Sequence, residues 1–508
     1  MSTVLNGDAA PADEAAAETT EQTIEQTTAR TGAQDFAPLP EGLRKLAANA
    51  EDVDLPAPRV EGAIPERLNG ALYRNGPGMF ERAGHVKSSL LDGDGFVQRL
   101  ALKGGQASYR AAFVRTPKFL EEEAAGDFVY PTWTTRAPGG MLKNLGGHIR
   151  SQAGVTVYEH GGALLALDEV APIFALDPDT LETTAELAPG EEGKPFSNKA
   201  HAKFDPETGR MVIAGGTYGR HHDIHLVERN ADGTVASHRI VARAPMVYIH
   251  DFFITRTKAV FVFHPATFNP FPFLGGLKSF AECIAWRPEH GNRVLVVNRR
   301  GDPEPKWFDA PAAWMWHALN AYDRPDGSIV ADFVGFDAPD HFLGPNAELT
   351  NFMSGVCGIG EAVGAVRRYV LDPRRGRCEE TVIAAGAHEF PTIDPRLTGL
   401  PHRTGYLATG GGGALTSGVA RLDVETGARD AYDHGADVFA GEPNFAADPD
   451  AADPEEGRGW VIQECLDGAT GESFFAIFDA LALADGPVAR VHLGRHAPIS
   501  FHGWWTQA

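Results

Sequence analysis

From about Phe36 onward, short runs of apolar, β-branched and aromatic residues alternate with polar turn sequences. LDPDTLET at 176–183, FDPETGRM at 204–211 and RNADGTV at 229–235 close three such runs, and YDRPDGSIV, VLDPRRGRC and LDVETGARD repeat the grammar later. Proline presets the φ that a turn needs and glycine tolerates positive φ, so these segments predict β-hairpins. Helical periodicity is confined to PKFLEEEAA at 117–125 and to residues near 40–50. FNPFPFLGGLKSF at 268–280 is apolar but broken by proline and glycine, so it reads as a loop rather than a strand.

This pattern predicts an all-β protein. Many short hairpins over residues 36–508, with no linker near the middle, suit one β-propeller domain better than a pair of sandwiches. Residues 1–35 break the pattern: they are rich in Ala, Thr and Glu, and Arg30 is their only basic residue. With no basic and apolar leader pattern, they read as a disordered acidic tail rather than a secretory signal.

Composition narrows the class. Of the 508 residues 43% are hydrophobic and 22% charged, as in an ordinary globular protein. A formal charge of −23 argues against nucleic acid as a partner, because phosphate binding needs clustered Lys and Arg, and it leaves apolar or neutral ligands favoured. The four cysteines, Cys283, Cys357, Cys378 and Cys465, form no paired spacing, which fits a reducing, cytoplasmic setting. No run of 18 apolar residues marks a spanning helix.

Four histidines carry the candidate chemistry. His201, His250, His317 and His502 lie in AHAKFDPETG, VYIHDFFITR, WMWHALNAYD and ISFHGWW, each in an apolar or aromatic setting. Taken singly, each is more readily a hydrogen-bonded core histidine than a ligand. Together they could complete a site for iron, zinc, copper or nickel, since neutral imidazole suits all of these. A propeller makes such a meeting natural, because inner strands of different blades converge on one axis. The pair His221 and His222 has no comparable setting and reads as surface or structural. DGDG at 92–95 reads as a tight turn rather than a calcium loop, having too few acidic positions. No Ser-His-Asp or paired-carboxylate pattern stands out.

At this level the chain resembles the carotenoid cleavage oxygenases, a family that includes lignostilbene dioxygenases and the retinal-pigment isomerohydrolase. The likeness runs through GALYRNGP at 70–77, LLDGDGFVQR at 90–99, FVRT at 113–116, HDFFIT at 250–255, HALNAYD at 317–323, EFPTID at 389–394, GEP at 441–443 and FHGWW near the end. The resemblance implies a seven-bladed β-propeller whose four histidines, here His201, His250, His317 and His502, bind a non-haem Fe(II). It also implies three supporting glutamates, matched here by Glu169, Glu389 and Glu442. Carboxylates on the outer imidazole N–H groups would supply negative charge and fix each ring's tautomer.

Two departures bear on the substrate. Asp168 occupies a position where the family has Trp in carotenoid cleavers and Lys in stilbene cleavers, and a carboxylate cannot replace the ammonium that meets a phenol. Val155 stands where the family often has Thr near the open metal position. Together with Phe271 and Phe273 of the apolar segment, these residues are the candidates for a substrate tunnel, and that segment is a candidate for peripheral membrane contact. The expected function is Fe(II)-dependent cleavage of a conjugated C=C bond of an apocarotenoid or related polyene by O2, giving two carbonyl products. The same chemistry on a stilbene or phenylpropenoid is the alternative, and a metal-free binding propeller is the rival from another class.

Overall fold

The computed structural model describes residues 38–218, 221–244, 248–344, 347–356, 363–410 and 415–508. The expected acidic tail, residues 1–35, and Cys357 lie outside the described residues. Leu39–Ala508 forms one compact unit.

Turn chemistry builds the hairpins. Asp205 Oδ1 accepts from the backbone N–H groups of Glu207 and Thr208, while the Gly209 N–H closes back on the Asp205 carbonyl at 2.9 Å. Asp372 and Asp423 cap the turns ending at Gly376 and Gly427 in the same way. The closing residue must take positive φ, which glycine adopts at no steric cost, as Gly209 does at +64°. In LDPDTLET that position is Leu181, held at +64° without glycine's freedom. All six turn segments quoted above join antiparallel neighbours.

Among the described residues these hairpins assemble into seven sheets of four or five strands, with two additional two-stranded ribbons. Each sheet is one blade. The innermost strands are, in chain order, Thr156–His160, Ser197–Asp205, Phe252–Ile254, Trp314–Asp323, His388–Thr392, Val438–Ala447 and His502–Gln507. The ring is closed by an exchange of termini. The C-terminal strand His502–Gln507 becomes the inner strand of the first blade beside Gly70–Pro77. Near the N-terminal end, the strand Val53–Leu55 edges the first blade and the next strand, Arg59–Gly62, adds to the outer edge of the last blade beside Ala489–His492. Closure joins the two ends of the chain into the ring, while each blade keeps its own outer edge strand.

The core lies between blades. Val212, Ile224 and Leu226 of the third blade pack against Phe261, Leu295 and Val297 of the fourth. The inner strand Trp314–Asp323 is buried on both faces from Trp314 through Tyr322, whereas the outer strand Arg377–Ala384 alternates.

The helical segments cap the ring. Pro117–Ala125 is an α-helix with Thr116 as its N-cap, and Leu43–Ala47 is a 3₁₀ turn. The segment 268–280 corrects the loop expectation: its centre, Pro270–Leu274, is a helical turn, with Asn269 Oδ1 accepting from Phe271 N and Pro270 at the first position. DGDG is structural: Asp92 accepts from Thr134 and Thr135, and Asp94 pairs with buried Lys118 at 2.8 Å. Among the described residues, no helix is long and apolar enough to cross a membrane.

Candidate metal centre

Each blade sends one residue to the axis. His502, His201, His250 and His317 come from the first, third, fourth and fifth blades, and Glu169, Glu389 and Glu442 from the second, sixth and seventh. On four of these strands the pairing register shifts beside the functional residue: between Asn198 and Ala202, Met315 and Ala318, Glu389 and Thr392, and Ala440 and Pro443. A bulge bends the strand and re-aims a side chain that would otherwise follow the strict alternation of the sheet. At Glu389 the bend extends to Phe390, whose φ of +49° is unusual for a bulky residue.

The four imidazoles are buried, and their candidate donor atoms all lie within 4.8 Å of one another. His201 Nε2 and His250 Nε2 are 3.1 Å apart. A metal–nitrogen distance of about 2.1 Å places right-angled donors about 3.0 Å apart, so this spacing fits a shared cation. Three of the rings have their outer edge engaged: His250 Nδ1–H donates to Glu169 Oε1 at 2.5 Å, His317 Nδ1–H to Glu389 Oε2 at 2.5 Å, and His502 Nδ1–H to Glu442 Oε1 at 2.8 Å. That fixes the tautomer and leaves Nε2 as an unprotonated donor toward the centre. The residues therefore fit a first-row divalent metal held by neutral nitrogens.

The electrostatics point the same way. Burial and the three other imidazoles push His201 well below the ordinary histidine range, and burial takes His502 down to about 4 against the pull of Glu442. His317 is raised, because Glu389 outweighs burial. Burial opposes ionisation of the glutamates, but Lys199 and His250 hold Glu169 low, His317 holds Glu389 low, and His502 with Arg74 holds Glu442 low. Three carboxylates thus stay charged around the imidazoles, of which His201 and His502 are held neutral.

Sequence reasoning missed the groups that hold those carboxylates. Lys199 Nζ donates to Glu169 Oε2 at 2.9 Å, and Tyr248 Oη to Glu169 Oε1 at 2.9 Å. Fully buried Arg74 reaches Glu442 Oε2 at 3.3 Å and Asn444 Oδ1 at 2.9 Å, and Asn444 Nδ2 donates to Glu442 Oε2 at 3.0 Å. Gly503 N–H adds a 2.6 Å bond to the same carboxylate, and a Cβ there would sit 2.5 Å from Asn444 Oδ1, which explains a glycine directly after His502. The available signals were Arg74 inside GALYRNGP and Lys199 two residues before His201.

Two cavities meet at the histidines. One is apolar and aromatic, walled by Trp133, Val155, Trp316, Phe336, Phe390 and Phe501, with His250, His317 and His502 on its metal side. Trp316 meets His250 edge-on at 4.9 Å, and Phe390 stacks on His317 at 5.2 Å. The other is lined by residues that follow the ligands along their strands, including Lys203, Asp251, Ala318–Ala321 and Gly503–Trp505.

Val155 and Asp168 both line the apolar cavity. Asp168, however, turns its carboxylate to the wall: it accepts from Ser151 Oγ, Gln152 N, Ala153 N and Val170 N at 2.6–3.1 Å. Burial raises it to about 6, against these hydrogen bonds. The tunnel expectation for Phe271 and Phe273 is corrected: neither is among the residues lining the cavity. Phe271 is 82% exposed, because the short helix turns it outward, and half-buried Phe273 packs on Phe268 and Phe280. His222 is fully buried on the strand His222–Arg229, and His221 is exposed.

Comparison with known proteins agrees with this geometry. The profile of the retinal pigment epithelial membrane protein family matches residues 46–507. The apocarotenoid-15,15'-oxygenase of Synechocystis sp. is 28% identical over 92% of this chain and 96% of its own length. The isoeugenol monooxygenase of Pseudomonas putida is 27% identical over 91% and 95%, respectively. Among solved structures, cobalt-substituted Synechocystis apocarotenoid oxygenase superposes with a TM-score of 0.83 at 28% identity, covering 92% of this chain and 98% of that one. The chain belongs to the retinal pigment epithelial membrane protein family, the carotenoid cleavage oxygenases, and is an oxygenase of the class that cleaves alkenes oxidatively.

Proposed function

We propose that the protein is an Fe(II)-dependent dioxygenase that cleaves a conjugated C=C bond of an apocarotenoid or related polyene to two carbonyl products. The observation that carries this reading is the apolar, aromatic cavity that shares His250, His317 and His502 with the metal centre. Bound Fe(II) would supply the means of activating O2 beside the alkene. The chain's own residues do the rest. The aromatic wall excludes water and aligns an extended apolar substrate, Val155 adds a methyl surface with no donor, and the glutamates hold the imidazoles in one tautomer. The carboxylates of Glu169, Glu389 and Glu442 are committed to imidazoles, so the reading requires no general acid or base.

Phenylpropenoids and stilbenes are the second reading, favoured by relatives such as the isoeugenol monooxygenase and the lignostilbene-alpha,beta-dioxygenase of Sphingomonas paucimobilis, which is 27% identical. Against it stands Asp168, whose oxygens are occupied by backbone and hydroxyl donors and offer a phenol no cation. Apocarotenals, resveratrol-like and isoeugenol-like compounds offered side by side, with products identified by mass, separate the two. Paired carbonyl products from the polyene are expected; an aromatic aldehyde alone, with polyenes untouched, would overturn the preferred substrate.

The same reading gives the cavity a lipid-facing supply. Met141, Leu142 and Leu145 are exposed beside Phe271, Leu274 and Leu277, and the Gly146 N–H bonds to the Leu274 carbonyl at 2.8 Å. An aromatic series runs from this patch through Phe273 and Phe280 to Trp133 at the cavity. Peripheral docking on a membrane, in a reducing cytoplasm where the described cysteines stay free, follows as part of the proposal. Replacing Leu142 and Phe271 by serine should lower co-sedimentation with phosphatidylcholine vesicles; unchanged sedimentation would remove the docking step.

A further inference from the structure

The apolar cavity serves an alkene, but it is a poor path for a hydrated dication, which loses several kcal/mol of solvation for every polar partner it lacks. The second cavity offers those partners. It follows the propeller axis: Ala318–Ala321 continue from His317, Gly503–Trp505 from His502, Phe253 and Ile254 from His250, and Lys203 from His201. It touches His201, His317, His502 and Glu442 at its inner end and reaches the surface at exposed Pro395.

An ion pair stands in this channel. Lys203 Nζ lies 2.9 Å and 3.0 Å from the two oxygens of Asp251, and its side chain is 17% exposed. Asp251 is buried and also accepts from Phe252 N at 2.7 Å and Ala318 N at 2.9 Å. Through these bonds it ties together the strands that carry His201, His250 and His317, within two residues of each ligand. Lys203 is the partly exposed member of the pair, so its ammonium is the charge that an ion travelling the channel meets.

We propose that the axial channel is the route by which the divalent metal reaches and leaves the histidines, and that the Lys203–Asp251 pair is its electrostatic gate. The inference rests on the metal-centre reading. With the ammonium in place, a dication is repelled from the throat; without it, Asp251 and Glu442 leave the passage acidic and attract one. The gate slows exchange in both directions, so a metal once bound is retained while substrate turns over on the other side.

The test is the rate of Co(II) uptake by the full chain after dialysis against a chelator, followed by the visible absorption of the bound ion. Lys203→Met should take up and release Co(II) about tenfold faster at low ionic strength, and Lys203→Arg should restore the slow rate. Because Lys203→Met leaves Asp251 unpaired, Thr398→Arg provides an independent arm: a cation added to the channel lining should slow uptake. Equal rates in all these variants, with Val155→Phe in the apolar cavity alone slowing uptake, would overturn the route. Failure of the unmodified chain to bind one Co(II) would instead overturn the metal-centre reading beneath it.

Discussion

The two cavities that meet at the histidines are built from opposite materials. The apolar side is walled by Trp133 and Phe501 from loops and by Trp316 and Phe336 from blade strands, and Asp168 on it turns its carboxylate into the backbone. The axial side is made by inner strands running on from the ligands and carries an ion pair, Lys203–Asp251. Supporting carboxylates face both sides: Glu169 and Glu389 line the apolar cavity and Glu442 the channel. The contrast teaches that one centre is served by two solvents, one suited to an alkene and the other to ions.

Residues shared by both sides should give the largest effects. His317 belongs to both cavities, so His317→Ala should reduce bound metal to background and abolish turnover, read by elemental analysis and product formation. A variant with full metal content would break the comparison at its root. Next come the supporting carboxylates: Glu442→Gln and Glu389→Gln should each weaken metal affinity by about 10- to 100-fold, measured by competition with a chelator. One-sided substitutions should be smaller and selective. Trp133→Ala should raise KM about tenfold through lost apolar contact while metal content stays unchanged. If metal content fell with it, the two sides would not be separable.

How much of this was legible in the sequence follows from the range of the forces involved. The hairpins were readable because Asp and Gly act within five residues, as the Asp205–Gly209 turn shows. The four histidines were found by their motifs, and their convergence needed only a fold with an axis. The bulges that aim His201, His317, Glu389 and Glu442 depend on pairing between strands and left no local signature. Lys199, Tyr248 and Arg74 were missed for the same reason, since each meets its glutamate across blades. Phe271 and Phe273 misled because apolarity alone cannot tell a tunnel wall from an exposed residue such as Phe271 or from one packed elsewhere such as Phe273. The side to which Asp168 turns depends on the loop 151–153 folding back over it.

A further effect, read as stability against pH, concerns the wall of the apolar cavity, which His341 lines. His264 Nε2 accepts from Met315 N at 3.1 Å, and His341 Nε2 from the Trp316 indole N–H at 2.5 Å. Neither partner can accept a proton in return, and burial holds the two rings down to about 3 and about 4. Both folded values lie below the ordinary 6.5, so the unfolded chain takes up protons that the native state refuses. Their stabilisation is complete above that pH and is lost as pH falls toward 4, by about 1.4 kcal/mol per pH unit for each ring. Tm should therefore decline through this window, and less steeply in His341→Gln; a flat Tm would contradict the assignment.

The central claim is that the four-histidine centre carries oxygen-dependent alkene cleavage. Its most direct test is metal analysis of the purified protein combined with turnover of a polyene under isotopically labelled O2. The account predicts one Fe(II) per chain, lost in His317→Ala together with activity, and label in both carbonyl products. A full complement of products without iron, or carbonyl products carrying no label from O2, would contradict it.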